Sequence, residues 1–420
     1  MVFIIPPVIP GVIDPECQGS ALLSMFAVLS SARKGLTKVV LGLSVFALAA
    51  CDGFELPAVG GGNTGAGPRI DTSKPVPVAL LLPKSEAGAA SVARSLENAA
   101  RLAVADLGDV KIDLRVYDTA GNPAQAGAQA QKAVDDGAKI ILGPLFAGAA
   151  VEASKAVADE GVNVLAFSNN TSIAGGNLFV LGPTFENTAR RLVGFAARQG
   201  KKSAVIVHPT NVEGQFGRNA IQAAAAASGL QIAAIAEFEF SQAGVVGAIP
   251  RIRDAVKNNN ADAVFMTSNS AGALPLLAQL LPEAGVSNAT AQYVGLSRWD
   301  VPAQTLDLPG LQGGWFAIPD QQTDASFRSR YNTAYSSAPH QLAGLGFDGI
   351  AAIGALVKAG KSNALTGAAL TQSAGFQGVG GVFRLRADGT NERALAVATI
   401  REKKVVILDP APKAFGGAGF

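Results

Sequence analysis

A regular alternation of short apolar runs and longer amphipathic segments is the feature that most constrains this fold. Val76–Leu82 is a continuous apolar run, which is typical of a strand buried on both faces of a parallel sheet. Residues 97–107 then carry apolar side chains at helical spacing, and Ile112–Tyr117 alternates like a strand. The same alternation continues as far as Gly295. It predicts the α/β class with doubly wound parallel sheets. Because one sheet with so many strands would be unusually wide, we expect two Rossmann-like lobes.

The composition of the 420-residue chain supports a folded protein with a large core. Hydrophobic residues make up 49% and charged residues 16%, which argues against disorder. The formal net charge is +2 and there is no long basic run, so nucleic-acid binding is not expected. The sequence has two histidines and no HExxH, CxxC, GxSxG or P-loop pattern. We therefore predict a non-catalytic protein without a metal or a cofactor.

The residues that follow the predicted strands indicate a ligand-binding site. Ligands of doubly wound sheets bind outside the carboxyl ends of the strands. There the sequence has mainly neutral, polar and aromatic residues, which suit binding better than bond breaking. These segments include Gly143-Pro144-Leu145-Phe146, Phe167-Ser168-Asn169-Asn170-Thr171, Ser268-Asn269-Ser270 and Ser297-Arg298-Trp299. Three alternatives stay open, because Ser168–Thr171 can cap the next helix, Phe146 can pack between lobes, and Trp299 can belong to the core.

The amino-terminal region has the pattern of a bacterial lipoprotein signal peptide. A basic patch within residues 33–38 precedes the uncharged, mostly apolar run Val39–Ala50. This run is too short for a membrane span of about 20 residues. It fits the apolar core of a signal peptide, which is roughly 7–15 residues long. The run ends in Leu48-Ala49-Ala50-Cys51, which resembles the lipobox of bacterial lipoproteins. A buried hairpin helix with a chance cysteine is the alternative.

This pattern predicts a cell-envelope protein that faces the periplasm and is anchored to a membrane by lipid on Cys51. Met25 is expected to be the true start, because residues 1–24 contain no Lys or Arg. The choice between the inner and the outer membrane stays open. The predicted organisation is a signal peptide region at 1–50, a lipidated cysteine with a flexible Gly- and Pro-rich tether at 51–75, a folded domain at 76–410, and a carboxyl-terminal tail at 411–420.

Several segments occur in a characteristic order and spacing within residues 76–410. They are Val78-Ala79-Leu80-Leu81-Leu82-Pro83, Tyr117-Asp118-Thr119-Ala120-Gly121-Asn122-Pro123, Ile141-Leu142-Gly143-Pro144, Val162–Ser168, Gly346–Ile350 and Gly380–Gly389. Together they resemble the leucine/isoleucine/valine-binding family of type I periplasmic binding proteins. The resemblance implies two lobes joined by three crossovers, with a small ligand held between the lobes by hinge closure. It implies lobe 1 at about 76–183 and 316–378, lobe 2 at about 184–315 and 379–410, and crossovers near 182–185, 313–318 and 377–381.

Three positions depart from the amino-acid-binding pattern of that family. The family holds the ligand carboxylate with hydroxyls and backbone N–H groups after the Gly-Pro turn, but Leu145–Ala150 contains no hydroxyl. Phe216-Gly217 stands where the family usually has Tyr-Gly, and Ser270–Ala273 lacks the acidic residue that usually meets the ligand amino group. The resemblance implies amino-acid binding and transport with an ABC permease, and these departures weaken that implication.

A second resemblance fits these departures. Gly143–Phe146 and Ala166–Asn170 are similar to segments of lipid-anchored penicillin-binding-protein activators with the same fold. That resemblance implies regulation of cell-wall synthesis through contact with a peptidoglycan synthase, and a ligand that is a cell-wall fragment rather than an amino acid. Asp348 is expected to cap or orient its helix, with a ligand contact as the alternative. The residues expected to bind the ligand are Phe146, Ala147, Ser168, Asn169, Asn170, Thr171, Phe216, Asn269, Ser270 and Trp299.

Overall fold

The first lobe is built on a parallel sheet. A computed structural model describes residues 67–416, so the predicted signal region and Cys51 lie outside the described residues. The elements of this lobe are β1 (Val76–Leu82), α1 (Ala90–Asp106), β2 (Ile112–Asp118), α2 (Pro123–Asp135), β3 (Ile140–Leu142), α3 (Ala147–Ala156), β4 (Val164–Ala166) and β5 (Leu178–Val180). Within the described range, five parallel strands form the sheet in the order β2-β1-β3-β4-β5.

Both faces of this sheet are apolar, as the continuous run of β1 predicts. Val78, Leu80 and Leu82 are fully buried in a cluster that includes side chains of α1. Ala79 and Leu81 point to the opposite face and join a cluster that includes side chains of α2 and α3. Helices therefore cover the sheet on both sides, and the predicted doubly wound α/β class is confirmed.

The second lobe repeats this architecture on a wider sheet. Its elements along the chain are α4 (Phe185–Arg198), β6 (Ser203–Pro209), α5 (Val212–Ser228), β7 (Gln231–Phe238), α6 (Gln242–Asn258), β8 (Ala263–Met266), α7 (Leu274–Glu283), β9 (Gln292–Gly295) and β10 (Trp315–Ile318). Strands β7, β6, β8, β9 and β10 run parallel in that spatial order. Apolar clusters lie on both faces, one against α4 and α5 and the other against α6 and α7.

The chain then returns to the first lobe before it completes the second sheet. The remaining elements are α8 (Gln321–Tyr335), α9 (Ala343–Lys358), α10 (Gly367–Leu370), β11 (Phe376–Gly378), β12 (Gly381–Leu385), β13 (Asn391–Arg393), β14 (Ala396–Arg401) and β15 (Lys404–Asp409). The antiparallel sheet β11-β12-β13 buries Phe376, Phe383 and Leu385 in the core of the first lobe. Strands β14 and β15 extend the second sheet beyond β10.

Along residues 67–416 the chain passes between the lobes three times. The first crossover, residues 181–184, agrees with the predicted position. The second was predicted at 313–318, but Trp315–Ile318 is a strand between β9 and β14, and the crossover follows it at 319–320. The third was predicted at 377–381, but those residues form the β11–β12 hairpin, and the crossover lies at 394–395. Both positions were taken from the family resemblance, which did not show that 315–318 and 376–378 pair as strands within the lobes.

Parts of the predicted tether and of the predicted carboxyl-terminal tail pack on the domain. Ile70, near the end of the predicted tether, is buried in the core of the first lobe, and its N–H donates to the carbonyl of Ser362 at 2.8 Å. In the predicted tail, Ala411 is buried in the second lobe, whereas Phe415 lies under the guanidinium of Arg384 in β12. The prediction of a flexible tether up to residue 75 is therefore wrong at Ile70, and the predicted tail packs on the domain at Ala411 and Phe415.

Along the described stretch, every helix is too short or too polar to cross a membrane.

Candidate ligand-binding cleft

Two adjoining cavities lie where the carboxyl ends of the strands in the two lobes face each other, and we call them together the interlobe cleft. The larger, of about 790 Å³, is lined by loops of the first lobe and by Pro183 of the first crossover. The smaller, of about 380 Å³, is lined by residues of both lobes. Asn169 and Asn170 line both cavities. This is the position at which doubly wound folds bind their ligands.

The turn after β3 brings α3 to the cleft. Gly143 has φ +90°, and a Cβ there would lie 2.2 Å from the carbonyl oxygen of Leu81, so this turn requires glycine. The turn places Phe146 and Ala147 in the wall of the larger cavity, and the Phe146 side chain is 40% exposed. Phe146 is the N-cap of α3 and offers its helix no side-chain acceptor. The first N–H groups of α3 are therefore available to a ligand group that accepts hydrogen bonds.

The loop after β4 both lines the cleft and caps a helical turn. Ser168 is buried, and its hydroxyl accepts the N–H of Asn170 at 3.1 Å. Asn170 caps a short 3₁₀ helix by accepting the N–H of Ser172 at 3.0 Å. The hydroxyl of Thr171 donates to Glu186 at 2.9 Å. Residues 168–171 were expected either to line the cleft or to cap the next helix. In the structure this loop does both.

The start of α5 forms the wall on the side of the second lobe. Asn211 caps this helix by accepting the N–H of Gly214 at 2.8 Å. Glu213 and Phe216 line the smaller cavity, and the Phe216 ring is 41% exposed. Asn269, which follows β8, donates from Nδ2 to Glu213 Oε1 at 3.4 Å. Asn269 therefore contacts the wall of the cavity through Glu213.

Two residues of the expected site serve the second lobe instead. Trp299 is fully buried and stacks on Phe316 with ring centroids 5.9 Å apart, so its expected position in the cleft is wrong. Its indole occupies space beside Gly295 and Gly314, where a Cβ would come within 2.1 and 2.4 Å of the ring. The hydroxyl of Ser270 donates to the carbonyl of Val301 at 2.8 Å and so holds a neighbouring loop.

Three carboxylates in the cleft were absent from the expected site. Glu86 lies in the loop before α1 and lines the larger cavity, whereas Glu186 and Glu213 lie in the first turns of α4 and α5 and line the smaller one. The sequence could have predicted Glu186 and Glu213 at the cleft, because both are acidic residues in the first turn of a helix that follows a strand. Among residues 67–416, no Lys, Arg or His side chain lines either cavity.

A carboxylate at the end of β2 positions the loop that carries Glu86. Asp118 Oδ1 accepts the N–H groups of Lys84 at 2.8 Å, Ser85 at 3.3 Å and Ala120 at 2.9 Å. Burial acts to raise the pKa of Asp118, but the hydrogen bonds from Ala120, Ser85 and Lys84 outweigh it and lower this pKa below its ordinary value. The ionised carboxylate is therefore the form that holds the loop.

A third cavity, of about 110 Å³, lies beside the crossovers and is lined by Pro183, Pro319 and Ala394. In its wall, Asp348 of α9 pairs with Arg393 at 2.8 Å. Arg393 also donates from Nη2 to the carbonyl of Leu181 at 2.7 Å. Asp348 thus orients its helix: it fixes α9 to the end of β13, next to the third crossover, and through Arg393 to the first crossover. This agrees with the expectation that Asp348 caps or orients its helix.

Within residues 67–416, no group of three or more His, Cys, Asp or Glu side chains is placed to hold a metal ion. The cleft instead combines aromatic rings, amides and carboxylates at the carboxyl ends of strands. Such a lining can bind a small molecule through apolar contacts and a few directed hydrogen bonds.

The comparison with known families agrees with this arrangement. The chain belongs to the periplasmic binding protein family, whose model matches residues 75–404. No curated protein sequence matches the chain.

Several solved structures share the fold. A structure from Rhodospirillum rubrum, assigned to a branched-chain amino acid ABC transporter, has a TM-score of 0.70 at 19% identity and covers 80% of this chain and 100% of its own. A branched-chain amino acid ABC transporter periplasmic ligand-binding protein from Burkholderia xenovorans has a TM-score of 0.62 at 19% identity. The match covers 81% of this chain and 97% of that protein. An ABC transporter substrate-binding protein from Desulfitobacterium hafniense, in complex with Leu, has a TM-score of 0.58 at 17% identity. The match covers 80% of this chain and 100% of that protein. At these identities the likeness establishes the fold, with its two lobes.

Proposed function

We propose that the protein binds a small organic solute, such as an amino acid, between its lobes and delivers it to an ABC-type permease. The observation that carries this proposal is the cleft at the carboxyl ends of both sheets, where the exposed rings of Phe146 and Phe216 accompany Ser168 and Glu213. Apolar surface with a few placed polar groups suits a small molecule. The similar protein from Desulfitobacterium hafniense was solved with leucine, a solute of this size.

The polar groups of the cleft suit the two ends of such a solute. The uncapped start of α3 offers N–H groups to an acceptor such as a carboxylate. The carboxylates of Glu213 and Glu186 suit a ligand ammonium group. Glu213 supports amine recognition despite the missing acidic residue in Ser270–Ala273, because Asn269, next to that segment, contacts it at 3.4 Å.

Thermal unfolding of the full-length protein in the presence of single amino acids tests the proposal. A ligand at one hundred times its Kd should stabilise the folded state by about 2.7 kcal/mol, which appears as a rise in Tm. A solute that binds between the lobes should also reduce the radius of gyration measured by X-ray scattering. Capture of a peptidoglycan synthase, with no stabilisation by any amino acid or peptidoglycan fragment, would overturn the proposal in favour of a partner-binding regulator.

Variants of the exposed rings locate the binding site. Phe146→Ala and Phe216→Ala should weaken binding, because each removes apolar surface from the wall of the cleft. Phe240→Ala is a matched control, since Phe240 is an exposed phenylalanine of the second lobe outside the lining of both cavities. Equal effects of all three substitutions would contradict binding in the interlobe cleft.

We also propose that lipid on Cys51 holds the protein at a membrane on the periplasmic side. The support is the basic patch, the apolar run of signal-peptide length and the lipobox-like Leu48-Ala49-Ala50-Cys51. Cell fractionation of a Cys51→Ala variant tests this directly. The variant should leave the membrane fraction, and its retention there would contradict the proposal.

A further inference from the structure

The charges of the interlobe cleft define the solute further. Its lining contains three carboxylates, Glu86, Glu186 and Glu213, and within the described part of the chain it contains no cationic side chain. Resting on the proposed function, we infer that the solute is a small organic cation with a net positive charge and an apolar or aromatic body.

The three carboxylates are not neutralised by the protein. Glu86 accepts the N–H of Gly88 at 3.0 Å, Glu186 accepts the hydroxyl of Thr171 at 2.9 Å, and Glu213 accepts the amide of Asn269 at 3.4 Å. These donors are neutral, and the ion pairs formed among residues 67–416 do not involve the three glutamates. The cations close to them in sequence pair elsewhere, Lys84 with Glu97 and Arg190 with Glu392. Each hydrogen bond uses Oε1, which leaves the second oxygen for a ligand. A zwitterion brings no net charge, so the occupied cleft keeps the full charge of the three carboxylates, whereas a cation reduces it.

The walls beside these carboxylates are apolar. Phe146 stands near Glu86 in the larger cavity, and Phe216 stands near Glu213 in the smaller one. A solvent-exposed ring is stabilised when a ligand covers it, and the face of a ring attracts a cation. The exposed rings are an observation separate from the carboxylates, and they indicate that the cation has an apolar or aromatic body.

Helix stability alone explains only part of this arrangement. Glu186 and Glu213 occupy first turns, where a carboxylate interacts favourably with the helix dipole. Outside the cleft, the first-turn Asp324 of α8 pairs with Arg328 at 2.7 Å, and the N-cap Asp320 pairs with Lys413. The glutamates of the cleft lack such a partner among the described residues, and Glu86 lies before α1 rather than in its first turn.

Isothermal titration of the full-length protein with two matched pairs of probes tests the inference. The pair 2-phenylethylamine and 3-phenylpropionate differs in the sign of the charge, and the pair lysine and norleucine differs by one ammonium group. In each pair we expect the first compound to bind at least tenfold more tightly. Its binding should weaken as salt is added, because the carboxylates are partly exposed to solvent.

Isosteric variants assign this preference to the cleft. Glu186→Gln and Glu213→Gln should each weaken binding of the preferred cation by roughly ten- to hundredfold, as expected for a hydrogen bond between charged groups. Glu402→Gln is the matched control, because it removes the same charge from the exposed turn between β14 and β15. Its affinity for the cation should equal that of the unaltered protein.

The outcomes separate this inference from the proposed function. Equal or tighter binding of 3-phenylpropionate or norleucine would overturn the cation preference and leave a solute-binding protein. Unchanged binding of the cation in both glutamine variants would also overturn it. Failure of all four probes to bind would overturn the inference as well, whereas the amino-acid and scattering experiments decide the proposed function separately.

Discussion

Replacing Asp348 by alanine is expected to lower the free energy of unfolding by about 3–5 kcal/mol, since it removes one partner of a buried ion pair. The Asp348 side chain is 2% exposed and that of Arg393 is 12% exposed, so water screens this pair poorly. Asp348 Oδ2 lies 2.8 Å from Arg393 Nη1, and Oδ1 accepts the N–H of Val379 at 2.8 Å. The substitution leaves both the guanidinium and this N–H without their carboxylate partner.

The magnitude follows from what stays in place after the substitution. Arg393 keeps its hydrogen bonds to the carbonyl of Leu181, at 3.1 Å from Nε and 2.7 Å from Nη2, so its charge stays beside the crossovers. An orphaned buried N–H costs about 1–3 kcal/mol, and the unpaired guanidinium adds to that cost. A pair on the surface behaves differently. Asp254→Ala should cost about 0–1 kcal/mol, because Asp254 and Arg253 are 54% and 39% exposed.

Urea unfolding of both variants measures the difference, with the slope m checked to ensure that the unfolding transition remains comparable. The double variant Asp348→Ala/Arg393→Ala completes a mutant cycle and should show a coupling energy well above that of an exposed pair. If Asp348→Ala costs no more than Asp254→Ala, Asp348 does not fix α9 to the crossovers in the way described.

Three further substitutions probe the first crossover, the wall of the cavity beside the crossovers and the carboxyl-terminal tail. Gly182→Ala should lower the free energy of unfolding, measured by thermal denaturation, by about 1–3 kcal/mol, since its Cβ would lie 2.5 Å from the carbonyl oxygen of Ser168. The control Gly194→Ala should be neutral or stabilising, because the Cβ there has no neighbour closer than 3.6 Å. Burial lowers the pKa of His340, so its contribution to stability is present above the unfolded pKa of about 6.5 and falls as the pH drops below it. His340→Gln should therefore flatten the decline in urea stability on the acid side of this value, and an unchanged pH profile would contradict the assignment. Phe415→Ala should lower the free energy of unfolding in urea by about 1–2 kcal/mol, because the half-buried ring packs on the domain. An unchanged urea midpoint would mean that the tail does not contribute to stability.

The sequence predicted the fold well because the apolar runs carry their own evidence of burial. Val76–Leu82 was predicted as a buried strand, and β1 has these bounds. The segments after β3 and β4 were expected at the cleft, and Phe146 and Ser168 line it. In these cases the position of a residue along a strand was enough, because all parallel strands of a sheet end at the same edge.

The remaining errors concern the direction of side chains and contacts between distant segments. The position of Trp299 after β9 was read correctly, but the sequence did not show that Gly295 and Gly314 leave room for its ring inside the lobe. An acidic residue was sought in Ser270–Ala273, whereas the structure brings Glu213 from another helix next to Asn269. Such contacts depend on how separate elements pack, which the local pattern of a sequence does not encode.

The docking of Ile70 determines which part of the molecule the preceding chain holds. Gly67 lies near Thr366 and Gly161, and the Ile70 N–H is bound by Ser362, so the chain reaches the first lobe at the amino ends of its strands. The interlobe cleft lies at the opposite, carboxyl ends. The chain therefore enters the described domain through the first lobe alone, at the end of its sheet opposite the interlobe cleft. A change at Gly67 or Ile70 would reach the ligand site only through the first lobe, because neither residue lines the cleft.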